Sequence, residues 1–504
     1  ATLESLRQQL VPARRSRDCS AIYSIMTLRA GTSCCRKLSS VAGIHCSRLS
    51  TASASAPLQA SASASASAAT AQSARARALD RLAEGMARPM SEMEIASGSG
   101  SYLTSATGER FLDFTSGIGV TNTGHCHPRV VAAAQQQLGL LLHGQQSVGL
   151  SSPLVALTNR MLDGVVPADH DRLMFSTTGA EAVENAMRLA RAATGRPNMI
   201  VFQGGYHGRS IGTLSLTRSK TGYGVANHPQ MSGVFVAPFP YASQLHASQL
   251  PAMDGGAELY HGALYQLELL LKQQSAPSDT AALIVEPVLG EGGYVPAPAG
   301  FLPGLRALCD RHGLLLILDE VQTGYGRTGR MWAHQHEGVE PDVLVMAKGM
   351  ASGLPLSAIS SRAELTRHVP AGAMGGTYAA NPVACAAALA TLDVFAEEGI
   401  VENAAARGAQ LLSGLRAIAA SHPAWVREVR GLGCMVGLEL HPPPSAPAGC
   451  AARLQRACRE RGLLLLTASV FETLRFIPPL TVSATEIDQA LAVVADALRE
   501  VAAA

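Results

Sequence analysis

Between Leu314 and Lys348 short apolar runs alternate with clusters of turn-forming residues. LLLIL (Leu314 to Leu318) is bounded by Gly313 and Asp319, and VLVMA (Val343 to Ala347) follows Pro341-Asp342 and stops at Lys348. Such runs are too short to cross a membrane and too uniform for a half-exposed face. Strands buried on both faces of a parallel sheet are written this way. The pattern recurs at Ala281 to Val285, ending on Glu286-Pro287, and at Met199 to Phe202, ahead of Gly205-Tyr206-His207-Gly208-Arg209. A short strand from Leu173 runs into Thr177-Thr178-Gly179-Ala180, where the period changes. Val183, Ala186, Met187 and Ala190 then mark one face of a helix. SYLTSATGERFLDF (Ser101 to Phe114) alternates about Thr107-Gly108 and predicts a hairpin. About Gln244 to Thr280 reads as an insertion followed by a helix. From Cys385 to Ala504 helices alternate with strands such as Cys434 to Leu440. The pattern predicts an α/β protein.

Length and composition narrow the function classes. At 504 residues the chain exceeds the roughly 250–300 residues at which single cores stop growing, so two domains are expected. A net charge of +2 gives no sign of a nucleic-acid or strongly acidic partner. No apolar run reaches the roughly 18 residues of a transmembrane helix. The ten cysteines show neither CxxC nor zinc-type spacing, which predicts reduced thiols and a compartment outside the secretory pathway. Residues 1–75 stand apart. Arg14, Arg15, Arg17, Arg29, Arg36, Lys37 and Arg48 are accompanied by only two acids, Glu4 and Asp18, and SASASASA (Ser61 to Ala68) is of low complexity. An Arg-rich, Ser-rich and acid-poor segment predicts an organelle transit peptide, mitochondrial (matrix) first and plastid as the alternative.

The candidate chemistry sits at predicted strand ends, where open α/β sheets bind their ligands. Asp319 and Lys348, 29 positions apart, each close a neighbouring strand and should face one crevice. A lysine amine can form a Schiff base with an aldehyde cofactor. A buried carboxylate can keep a pyridine nitrogen protonated, which makes the ring an electron sink. Taken singly, the two residues read as a salt-bridging acid and a solvated lysine. The helix start at Thr178-Gly179-Ala180 offers backbone N–H groups and the positive end of a macrodipole to a phosphate. Gly324-Tyr-Gly326-Arg-Thr-Gly329 fits G-x-G-x-x-G, yet Glu340-Pro341 interrupts the helix a dinucleotide site would need, and no ribose-binding acid follows a second strand. His125, Cys126 and His127 resemble metal ligands, but adjacent side chains diverge and no partner cluster exists, so no metal is expected. The loop Gly290-Glu291-Gly-Gly-Tyr294 lacks the lysine of a P-loop, and Gly431-Leu-Gly433 reads as a turn.

DEVQTGYGRTG (from Asp319), PDVLVMAKG (from Pro341) and GLPLSA (from Gly353) together resemble the signature of class III aminotransferases, pyridoxal 5'-phosphate enzymes of fold type I. The resemblance spans about residues 80–500. It implies a large domain with a mostly parallel seven-stranded sheet and a smaller α/β domain built from both chain ends. The expected boundaries are 76–135 and 385–504 for the small domain and 136–384 for the large one. It implies that Lys348 holds the cofactor and, once freed, moves the proton, while Asp319 keeps the ring nitrogen protonated. Tyr206 would stack on the ring, Val321 pack beneath it and Gln322 bind its hydroxyl. Thr178, Gly179 and Ala180 would hold the phosphate, and His207 and Glu286 complete the cofactor site. In such dimers Gly375-Gly376-Thr377-Tyr378 reaches the neighbouring subunit's phosphate through Thr377.

Tyr-His-Gly-Arg and Leu474-Arg475-Phe476-Ile-Pro-Pro-Leu480 resemble segments of 4-aminobutyrate aminotransferases. By that resemblance Arg209 anchors a distal carboxylate, Arg475 binds the α-carboxylate of glutamate or 2-oxoglutarate, and Glu291 pairs with Arg475 when the donor has none. Ile118 would line the substrate pocket. The implied reaction is transfer from an ω-amino acid, 4-aminobutyrate first and 3-amino-2-methylpropionate or β-alanine besides, to 2-oxoglutarate. The alternatives are ornithine or N-acetylornithine transamination and a class III racemase or decarboxylase. The stretch His143-Gly-Gln-Gln-Ser-Val148 departs from many 4-aminobutyrate enzymes in lacking an aromatic residue.

Overall fold

Apolar runs of the kind just described become the centre of the molecule. The computed structural model describes residues 74–86, 90–91, 93–241, 257–468 and 470–503. All but the last two positions of the expected transit segment, and most of the expected insertion, lie outside them. The chain divides at Met86 into two units. The first contains a helix over 74–81, and all elements named below belong to the second.

Seven strands build the central sheet: β1 (Arg172–Ser176), β2 (Asn198–Phe202), β3 (Val234–Ala237), β4 (Thr280–Val285), β5 (Leu315–Asp319), β6 (Val343–Met346) and β7 (Ser357–Ser361). Their order is β1-β7-β6-β5-β4-β2-β3. The neighbours β6–β5, β5–β4, β4–β2 and β2–β3 are parallel, and only β7 runs against its neighbours. Alternate residues of each strand enter different cores. Met199, Val201, Ala282, Ile284, Ile317, Val343 and Val345 pack with the buried stripe of the helix Gly179–Thr194. Ile200, Phe202, Leu283, Val285, Leu316, Leu318, Leu344 and Met346 pack in the opposite core with the helices Ala257–Gln273 and Phe301–His312. Each fully buried large side chain contributes about 1.5–3 kcal/mol, so both faces are strongly held and the register cannot slip by one residue.

The two ends of the compact unit meet in a second sheet. Ile95–Ser99, Tyr102–Ser105 and Arg110–Asp113 form an antiparallel meander, and Leu463–Leu464 adds to it in parallel, with Leu463 opposite Leu112. A third, antiparallel sheet joins Val426–Leu432, Met435–Leu440, Thr473–Phe476 and Leu466–Ala468. Gly431 lies within the first of these strands, so the expected turn is shorter than read and falls at Gly433 and Cys434.

Arg327 fastens these layers together. It is fully buried, and its guanidinium donates to Asn122 Oδ1 at 2.7 Å, to Cys434 O at 3.2 Å and to Pro478 O. Asn122 in turn donates to Tyr325 O at 2.7 Å, while its own carbonyl accepts from Leu480 N at 2.8 Å. The glycines around Arg327 serve backbone packing and turning. A Cβ on Gly324 would lie 2.5 Å from Trp332, and Gly326 and Gly329 have φ of 80° and 84°. No long helix follows this loop; Ala333–His336 is a 3₁₀ turn.

Next to this loop the helix Ile400–Ser421 presents Gly408 to the turn at Gly433. A Cβ on Gly408 would stand 2.2 Å from the Gly433 carbonyl carbon. Replacing an interior helical glycine with alanine normally gains roughly 1 kcal/mol. Here Gly408→Ala should lower the melting temperature by several degrees, because backbone meets the new methyl group. A melting temperature equal to or above that of the unaltered protein would show that the contact is not tight.

Candidate functional site

Three neighbouring parallel strands deliver Glu286, Asp319 and Lys348 to one edge of the sheet, just past β4, within the last residue of β5 and two positions past β6. Successive strand side chains point to opposite faces, which separates the two adjacent acids. Asp319 Oδ2 lies 2.7 Å from His207 Nδ1, and Oδ1 accepts from Val321 N at 3.1 Å. Glu320 turns the other way, where Thr323 Oγ1, Ala333 N, His334 N and His334 Nδ1 surround it at 2.7–2.9 Å. Glu320 is therefore structural, and Asp319 faces the crevice.

Lys348 has φ of 42°, a left-handed conformation that costs an L-residue roughly 1–2 kcal/mol. Strain of this kind persists where the surroundings dictate it. Burial pulls its amine from the ordinary lysine range down to about 8, against the opposing pull of Glu291, Glu286 and Asp319. Glu286 accepts from Tyr206 N at 2.8 Å and Gly290 N at 2.9 Å, tying the aromatic residue to the glycine-rich loop. Burial, and then the charge of Asp319, push its carboxyl up to about 7 even though His207 opposes the shift.

A capped helix start lies on the neighbouring element. Thr178 is the N-cap of the helix Gly179–Thr194: its Oγ1 accepts from Glu181 N, and Glu181 Oε2 accepts from Thr178 N. Gly179 and Ala180 begin the helix, where the first N–H groups have no carbonyl within the helix to bind. The Val321 side chain lies against that start, with Cγ1 3.0 Å from where a Gly179 Cβ would be.

Arg475 and Glu291 lie close enough to the lysine to act on its charge. Arg475 is buried, and its Nη1 donates to Glu291 Oε1 at 2.6 Å. Burial alone would raise Glu291, but the Arg475 guanidinium outweighs it and keeps the carboxyl below its usual range. Arg430 donates to Gly293 O at 2.7 and 3.2 Å, clamping the loop that carries Glu291, and is itself paired with the buried Glu439 at 2.7 Å. Arg209 is exposed and sits 5.8 Å above the ring of Tyr223. Ile118, also exposed, lies in a left-handed turn from Ser116 to Gly119 with φ of 68°. A Cβ on Gly119 would stand 2.6 Å from Ile477 Cδ1 and 3.6 Å from Gln322 Cγ, so that turn borders the crevice.

Thr377 is on the surface, in an exposed segment away from any partner within the chain's own crevice among the hydrogen bonds of the described residues. His125, Cys126 and His127 diverge as expected: His125 pairs with Asp113 at 2.7 Å, His127 with Glu398 at 3.3 Å, and Cys126 is exposed. Sequence reasoning missed Tyr223 and Arg430. Each is fixed by residues tens to hundreds of positions away, and neither belongs to a periodic run or a motif.

Residues 85–498 match the family profile Aminotransferase class-III. The chain belongs to the class III aminotransferases. It is 42% identical over 402 residues to the 5-aminovalerate aminotransferase DavT of Pseudomonas putida, covering 78% of this chain and 91% of that one. It is 41% identical to the 4-aminobutyrate aminotransferase GabT of Escherichia coli, covering 78% and 90%. Among solved structures it resembles a pyridoxal-phosphate-bound amine transaminase from an uncultivated Pseudomonas species, with a TM-score of 0.77, 31% identity and coverage of 83% and 99%. The enzyme is a transaminase that uses pyridoxal phosphate.

The residues present fit that cofactor. Gln322 Oε1 is buried without a hydrogen-bond partner, and Gly290 has no room for a Cβ, which would lie 2.9 Å from that oxygen and 3.0 Å from Glu286 Oε2. The half-buried lysine, the oriented Asp319 and the open helix start supply an amine, a carboxylate and an anion site.

The lowered basicity of Lys348 has a measurable consequence. Only the free amine attacks an aldehyde, and it predominates above its own pKa. Capture of pyridoxal phosphate by cofactor-stripped enzyme, followed by stopped-flow absorbance, should accelerate through pH 8 and level off above pH 9. A rate still climbing at pH 10 would mean an ordinary lysine.

Proposed function

We infer that this aminotransferase exchanges amino groups between an ω-amino acid, 4-aminobutyrate foremost, and 2-oxoglutarate. The observation that carries the reading is the 2.6 Å pair of Arg475 and Glu291 beside Lys348. A buried guanidinium without a counter-charge is costly. Glu291 supplies that charge while a donor lacking an α-carboxylate is bound, and glutamate or 2-oxoglutarate replaces it with their own. Arg209, a planar fork suited to carboxylates, takes the far end of either substrate. The names of the two relatives, a 5-aminovalerate and a 4-aminobutyrate aminotransferase, support a donor with amine and carboxylate at opposite ends. β-Alanine and 3-amino-2-methylpropionate belong to the same class.

Pyridoxal phosphate, when bound, supplies an aldehyde for the amine and a ring that withdraws electrons from the bond to be broken. The protein's own groups do the rest. Lys348 holds the cofactor and later shuttles the proton at the amine-bearing carbon as general acid and base. Asp319, oriented by His207, keeps a ring nitrogen protonated. Tyr206 and Val321 would hold the ring of the cofactor, Gln322 would bind its hydroxyl, and Thr178, Gly179 and Ala180 would hold its phosphate. Glu286 steadies Tyr206 and Gly290, and Ile118 walls the substrate.

Amino-donor panels test the donor assignment. The visible absorption of the loaded enzyme should change within one turnover on adding 4-aminobutyrate and return on adding 2-oxoglutarate. A response to ornithine or N-acetylornithine alone would replace this reading with one of those two.

A homodimer with shared sites belongs to the same proposal. Leu140, Leu142, Val148, Leu150 and Tyr378 are exposed. Their segments lie side by side, with the His143 and Tyr378 rings 5.4 Å apart and Asn381 Nδ2 donating to Leu142 O at 3.0 Å. An apolar patch of this kind marks an association surface. Sedimentation should give twice the chain mass, and Thr377→Val should weaken cofactor retention. A monomer with full activity would overturn the shared-site arrangement.

A further inference from the structure

Tyr223 has no assigned part in the reading above, yet it touches Glu291, Tyr206 and Arg209. It closes the 3₁₀ turn Thr221–Tyr223 and is half-buried. Its hydroxyl donates to Glu291 Oε2 at 3.2 Å, while the other oxygen of that carboxylate is held by Arg475. Its ring stands edge-on to Tyr206 with centroids 5.3 Å apart. Arg209 lies 5.8 Å and the Lys220 ammonium 4.3 Å from the ring centre.

The geometry matters because Glu291 is gripped from two sides by unlike partners. When an α-carboxylate takes Arg475, the salt link must break, and the incoming anion repels Glu291. The Tyr223 bond need not break, since it uses the other oxygen. A buried carboxylate stripped of all partners costs far more than one that keeps a single donor. We propose that Tyr223 is the pivot of Glu291, the hydroxyl that stays bonded to the carboxylate after it leaves Arg475 and so makes the glutamate/2-oxoglutarate half-reaction possible. The phenol is suited to this: burial, and then the charge of Glu291, push it up to about 12, so it remains a donor throughout the working pH range. Tyr223 is a positioning residue, acting through Glu291.

This inference rests on the dual-carboxylate reading, and it predicts an asymmetry that a general structural role would not produce. Tyr223→Phe keeps the ring against Tyr206 and beneath Arg209 and removes only the hydroxyl. In the 4-aminobutyrate half-reaction Glu291 stays on Arg475, so kcat/KM should change by less than about 3-fold. In the glutamate and 2-oxoglutarate half-reaction the displaced carboxylate loses its last donor. There kcat/KM should fall about 10- to 100-fold, the size expected for a hydrogen bond to a charged group, chiefly through KM.

The readout is single-turnover absorbance of the loaded enzyme with each substrate. Because both half-reactions are measured on one preparation, a partial folding defect cancels in their ratio. In a Glu291→Ala background the same tyrosine change should be nearly silent, as coupling between the two residues requires. Equal losses in both half-reactions, or a loss confined to 4-aminobutyrate, would overturn the pivot while leaving the dual-carboxylate reading intact. A wild-type enzyme that responds to 4-aminobutyrate but not to glutamate would overturn that reading, and the pivot with it.

Discussion

Among the described residues, one buried cation without a carboxylate partner ties several segments together. Arg327 donates to one side-chain amide and two backbone carbonyls, each from a different part of the chain, and burial pulls its basicity down to about 10. Burying such a charge is expensive, so its position is set by the segments it joins. Asn122 lies four residues beyond Ile118, Pro478 three beyond Arg475, and a Gly349 Cβ would fall 2.3 Å from Asn122 Nδ2, one residue past Lys348. One guanidinium therefore sets the spacing between Lys348, Arg475 and the turn that carries Ile118. It achieves this without contributing to the chemistry.

The crevice concentrates opposite charges in a poorly solvated space, and each is answered by a short contact. His207 orients Asp319, two backbone N–H groups fix Glu286, and Arg475 and Tyr223 share Glu291. Lys348 is the exception, half-buried among acids yet bonded to none of them at hydrogen-bond distance in the described residues. Its amine is left reactive because the acids that would otherwise claim it are already engaged.

Much of this was legible in the residues. The continuous apolar runs of β4, β5 and β6 could belong only to strands covered on both sides, and the polar residues closing them had to share an edge. The alternation of side chains explains why Asp319 serves the site and Glu320 the scaffold, a distinction two adjacent acids do not display in sequence. β7 was not legible. It reads SAISS, and its polarity suggests a loop, yet it is buried because Ser357 Oγ donates to Thr178 O and Ser360 Oγ meets His170 Nδ1 at 2.8 Å. Local pattern cannot foresee partners nearly two hundred positions away. The same limit hid Tyr223, and hid the left-handed backbone of Ile118 and Lys348, since β-branched and long side chains rarely adopt it.

The pairing of Leu112 with Leu463 also sets a schedule for the growing chain. The strand Arg110–Asp113 leaves the ribosome with its outer edge unpaired, and its partner lies 351 positions later. At about 5–20 residues per second, that edge waits roughly 20–70 s. Throughout that interval the central sheet can complete itself, whereas the sheet joining Arg110–Asp113 to Leu463–Leu464 cannot. An open strand edge is a template for pairing with other chains, so the newly made protein is most vulnerable to aggregation until Leu463–Leu464 emerges.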